Sequence, residues 1–136
     1  MDNKYVKIIV SEDMSVQQEG SNQLNMLINP VYVLRAPFVP TALSMAVTIM
    51  TAGFESDNYS IEILVKNDQL GTTVFNTGTN TVSIGPNLDN FNFNLNLKNL
   101  EFMNEGKYFV EFGIKGPEIN ERYVEPFFIK ANKKLG

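Results

Sequence analysis

Between residues 91 and 115 the chain reads FNFNLNLKNLEFMNEGKYFVEFGIK, and apolar and polar side chains alternate along almost all of it. Successive side chains of an extended strand point to opposite faces. Phe91, Phe93, Leu95 and Leu97 therefore share one face and Asn90, Asn92, Asn94 and Asn96 the other. This predicts a strand with a dry side and a wet side. A short polar corner ending in Glu105-Gly106 follows. Tyr108, Val110, Phe112 and Ile114 then repeat the alternation against Lys107, Glu111 and Lys115, so two facing strands are expected.

Similar alternation runs through the rest of the chain. Residues 5–16 carry Val6, Ile8 and Val10 on one parity, in a stretch rich in the β-branched residues that favour strands. Glu19-Gly20-Ser21-Asn22 reads as a turn, and residues 24–28 as a short strand cut off at Asn29-Pro30, since proline cannot donate to a ladder. Residues 31–40, with Pro37 and Pro40, read as an irregular crossover with room for one helical turn. Residues 42–51 predict a central strand with Leu43, Met45, Val47 and Ile49 on one face. Tyr59, Ile61, Ile63 and Val65 predict another, and 72–75 and 81–84 two shorter ones around Thr77-Gly78-Thr79-Asn80. Gly85-Pro86-Asn87 ends that hairpin. Residues 123–130 supply the last strand, where Pro126 marks an edge position or a bulge.

Turn signals recur about every 8 to 12 residues and no helix-period segment intervenes, the spacing of an all-β sandwich. The expected fold is an immunoglobulin-like antiparallel β-sandwich of about eight or nine strands. Its expected core holds Leu43, Val47, Ile61, Ile63, Phe93, Leu95, Tyr108, Val110 and Phe112. At 136 residues the chain has the length of one domain, 1–136, with a basic tail over about 131–136 that includes Lys133 and Lys134. Cysteine is absent, so the core must hold the fold without disulfides.

The corner Glu105-Gly106-Lys107-Tyr108 resembles the one leading into the penultimate strand of immunoglobulin-like sandwiches. There a tyrosine two residues after the glycine packs down with its hydroxyl tied to backbone. Val110 stands where such domains carry cysteine, and the chain has no tryptophan, so an antibody-type domain is disfavoured. The opening strand, Pro37-Phe38-Val39-Pro40, the NLKNLEF stretch over 96–102, the NEGKY stretch over 104–108 and the final strand after an acidic turn resemble a wider group. This is a family of small bacterial and phage immunoglobulin-like β-sandwich domains with no established activity. The resemblance carries no functional residues across.

Net charge of −4 with scattered lysines argues against a nucleic-acid surface. No apolar run approaches the length of a membrane span, and no secretory leader is evident at the start. The expected location is the cytoplasm of a bacterium or phage-infected host. Histidine and cysteine are both missing, which removes the commonest general base and the commonest nucleophile and metal-ligand side chains. Carboxylates such as Glu101 with Glu105, or Glu118 with Glu121 and Glu125, flank turns and read as solvated. Asp57, Asn58, Asp68 and Asp89 lack the spacing of a calcium loop. No catalytic residue, cofactor or metal is therefore expected, and the chain reads as no enzyme.

The asparagine face is the unusual feature, because amides can pair with a partner without a charge to desolvate. Phe109 and Phe128 lie on the wet parity of their strands, as does Met50. Together on one outer face they would form an apolar interaction patch. The candidate interaction residues are thus Asn92, Asn94, Asn96, Phe109 and Phe128. The leading expectation is a protein-binding or self-associating module, encoded by a phage or mobile element, whose partner is another protein or a second copy. The alternative is a carbohydrate- or ligand-binding accessory or virion domain, against which stands the missing tryptophan platform.

Overall fold

Where side chains alternate, the backbone is extended. The structure, a computed structural model, describes residues 4–86 and 89–132, without the side chain of Asn22. Its strands are β1 (Tyr5–Glu19), β2 (Asn22–Pro30), β3 (Val33–Ala36), β4 (Thr41–Ala52), β5 (Asp57–Asn67), β6 (Thr73–Asn76), β7 (Asn80–Ile84), β8 (Asn90–Phe102), β9 (Gly106–Lys115) and β10 (Asn120–Ala131). No helix occurs among the described residues. Asn87 of the expected turn and Lys133 and Lys134 of the expected tail lie outside them.

The strands form two sheets that pack as a sandwich. The first has the order β2-β1-β4-β8. The second has the order β3-β10-β9-β5-β6, with β7 also pairing with β5. The count is ten among the described residues, not eight or nine, because the crossover expected over 31–40 contains β3. Four residues between prolines are too few for periodicity to show, yet Leu34 and Ala36 are buried and β3 pairs with β10. That pair is parallel, whereas the other ladders are antiparallel.

The core fills the space between the sheets. Val47 and Ile49 of β4 meet Ile63 and Val65 of β5, Tyr108, Val110 and Phe112 of β9, and Phe127 and Ile129 of β10, all at most 2% exposed. Phe102, Tyr108 and Phe127 make edge and stacked contacts at one end, and Phe93, Phe112 and Tyr123 form a row of rings toward the other. Leu43, Phe93 and Leu95, expected in the core, are only half-buried and pack against it. Phe93 and Leu95 belong to β8, an outer strand of its sheet, and Leu43 adjoins a register shift in β4.

Tyr108 forms the expected corner. It is buried, its hydroxyl donates to the Asn104 carbonyl at 2.6 Å, and Gly106 takes a φ of 117°. A second corner of the same form opens β5, where the buried Tyr59 donates its hydroxyl to the Glu55 carbonyl at 2.7 Å. Each tyrosine thereby spends its one polar atom on a backbone group four residues earlier and leaves its ring to the core.

Candidate functional site

The structure divides the expected interaction residues between two surfaces. Asn92, Asn94 and Asn96 lie on the outer face of the first sheet, opposite Met50, Thr48 and Ala46 of β4. Phe109 and Phe128 are half-buried on the outer face of the second sheet, where Phe109 faces Pro126 and Phe128 faces Lys107. Met50 therefore cannot join them in one patch. Asn92 and Asn96 are exposed, but Asn94 is half-buried. The buried Asn94 Oδ1 has no hydrogen-bond partner, nor does Thr48 Oγ1 on the residue paired with it.

Several of the carboxylates are engaged in structural contacts. Glu105 accepts the Ala131 N–H at 2.6 Å, and Glu121 accepts the Tyr123 hydroxyl. Across the second sheet, Arg122 bridges Glu62 at 2.8 Å and Glu111, lying over Gly113. Hydrogen bonds from Arg122 to the two carboxylates raise its already high pKa. Among the described residues, no group of three or more His, Cys, Asp or Glu side chains could hold a metal ion.

A more promising site lies where the chain changes sheets. Val31 donates its N–H to the Val10 carbonyl at 3.0 Å, continuing the β1–β2 ladder of the first sheet. The next residue, Tyr32, accepts the Phe128 N–H at 2.7 Å in the second sheet. In an antiparallel ladder the N–H and C=O of one residue point to the same neighbour, and alternate residues point to opposite sides. Because Val10 faces β2, Val6 and Ile8 face the same way, and β2 has ended before it reaches them. No described strand pairs with β1 on that side over 5–9. On the opposite sheet β3 covers β10 only at Phe128–Ala131, and no described strand covers the stretch before it.

Between these two edges lies a cleft of about 480 Å³. Val6, Ile8 and Val10 line one wall, Tyr123 to Pro126 the other, and Val31 and Tyr32 close one end. The lining is mainly apolar, and Lys7 and Glu125 are its charged residues. The Tyr123 ring stacks on Phe112, with centroids 6.3 Å apart. Burial, helped by the hydrogen bond to Glu121, pushes its phenol up to about 12. Such a lining can take up apolar side chains and hydrogen-bond a backbone. The sequence carried two signs of this site: Pro126, which marks an unpaired edge, and Asn29-Pro30, which ends β2 early. That the two edges lie across one cleft depends on how the sheets pack, which alternation does not reveal.

No family model matches the chain, and no curated protein matches it. Among solved structures it is similar to a β-glucosidase from Listeria innocua in complex with isofagomine, at 11% identity and a TM-score of 0.44, over 94% of this chain and 16% of that one. It is also similar to an alkylpurine DNA glycosylase from Pseudomonas fluorescens bound to DNA containing an abasic site analog. There the identity is 10% and the TM-score 0.41, over 91% of this chain and 30% of that one. The chain thus spans about a sixth to a third of the length of these structures.

Proposed function

We propose that this chain is a non-enzymatic protein-binding module, an immunoglobulin-like sandwich that receives a polypeptide partner in the cleft between β1 and β10. The observation that carries this reading is an apolar cleft of about 480 Å³ flanked by two uncovered strand edges. Pockets of this volume suffice for ligand groups, and uncovered edges are where polypeptides add to sheets. The lack of histidine and cysteine supports a binding role over a catalytic one. The resemblance to small bacterial and phage sandwich domains favours a phage or mobile element as the source and the host cytoplasm as the setting.

The test compares two surfaces. Val6→Lys places a charge at the half-buried rim of the cleft. The triple variant Asn92→Lys, Asn94→Lys, Phe109→Glu alters the two outer sheet faces. Partner recovery from source cells and mass by light scattering are measured for each. The expected result is at least a tenfold loss of partner or self-association in Val6→Lys, with the triple variant unchanged and both folded by circular dichroism. Loss in the triple variant alone would overturn the cleft as the site and return the function to the asparagine and phenylalanine faces.

A further inference from the structure

The cleft has two edges of unequal quality. On β10 the residues facing the gap are those in phase with Phe128, which bonds toward Tyr32: Arg122, Val124 and Pro126. Proline has no N–H, so the position beside β3 cannot donate, and a strand added there would meet an interrupted ladder. On β1 the residues facing the gap are Val6 and Ile8, each with both a donor and an acceptor. The rung from Val31 to Val10 is the last that the described residues make on that edge. The next positions along the same line are vacant among the described residues because Tyr32 has crossed to the second sheet.

We infer that the occupant of the cleft is an extended peptide from another protein that adds as a strand to the edge of β1 at Val6 and Ile8, with apolar side chains at alternate positions and an acidic one between them. This rests on the protein-binding reading above and specifies its partner. A strand in the plane of the first sheet has side chains opposite Val6 and Ile8 that point, as those two do, between the sheets. There they meet Val10, Val31 and Tyr123, so these positions select apolar residues. The intervening side chain points outward beside the exposed Lys7. Opposite charges across a ladder are favourable and like charges unfavourable, so that position selects Asp or Glu. The same rule disfavours a second copy of this chain, because antiparallel pairing of two β1 edges about their centres would set Lys7 against Lys7.

The experiment selects a random heptapeptide display library on the full chain. The enriched peptides are then synthesised with and without N-methylation at alternate residues, which deletes backbone donors and leaves the side chains. The expected result is enrichment of alternating apolar and acidic sequences. They slow amide exchange at Val6 and Ile8 at least tenfold, and N-methylation in the pairing phase weakens them at least tenfold. Val6→Pro, which removes one edge donor, should weaken the unmodified peptides comparably. Peptides that bind but protect other amides, or bind equally well when N-methylated, overturn strand addition and leave the protein-binding reading standing. Absence of any enriched peptide overturns both.

Discussion

Two tyrosines hold the two ends of the second sheet in the same way, yet only one of them could be read in advance. Gly106 precedes Tyr108 by two residues, and that local spacing suffices to identify the corner. Tyr59 has no glycine two residues before it. The glycine it uses is Gly116, where an added Cβ would stand 2.6 Å from the tyrosine ring, and that contact joins residues 57 positions apart. At Gly106 the space around a hypothetical Cβ is open, so its requirement comes from backbone alone, at a φ of 117°. A β-branched side chain is strained there. Gly106→Val should accordingly lower unfolding free energy by more than about 1 kcal/mol in urea titration. An unchanged midpoint would mean that the corner tolerates an ordinary residue.

Strand position within a sheet decides what an apolar parity is worth. Phe93 and Phe112 look equivalent in sequence, each midway along a clean alternation, and their ring centroids lie 5.5 Å apart. But β9 lies between β10 and β5, whereas β8 ends its sheet, so Phe112 is fully buried and Phe93 half-buried. Phe112→Ala should cost about 3 to 5 kcal/mol, through lost transfer free energy and an unfilled cavity. Phe93→Ala should cost about half as much, because solvent can enter the space it vacates. Urea unfolding of the two variants checks the order, and equal losses would contradict the burial difference. Order within a sheet depends on which distant strands meet, and so does the existence of β3. Alternation therefore reveals which residues turn inward but not how deep they lie. The outward-facing candidates divide for the same reason: Asn92 and Phe109 both lie on outward parities, but on strands of different sheets.

At the scale of the whole molecule the two sheets meet tightly through the aromatic rows and part at the cleft, and Tyr123 stands at the boundary between these regimes. Its ring is held against Phe112, its hydroxyl is tied to Glu121, and it lines the cleft. Burial first, and the hydrogen bond to Glu121 second, raise its phenol from 10.0 to about 12. Burial likewise raises Tyr59. The sign of the consequence follows from linkage. Below the unfolded value near 10.0 the phenol is neutral in both states, and the stabilisation associated with its shift is fully present. As pH rises beyond it, the unfolded chain releases the proton while the folded chain keeps it until about 12, so stability falls across that window. Urea midpoints of the unmodified chain should thus decline more steeply between about pH 10 and about pH 12 than those of Tyr123→Phe, which has no phenol to ionise there. A remaining slope in that variant is expected from Tyr59. Parallel declines would mean that the Tyr123 hydroxyl ionises as freely in the folded protein as in the open chain, and that the cleft wall is wetter than its packing against Phe112 implies.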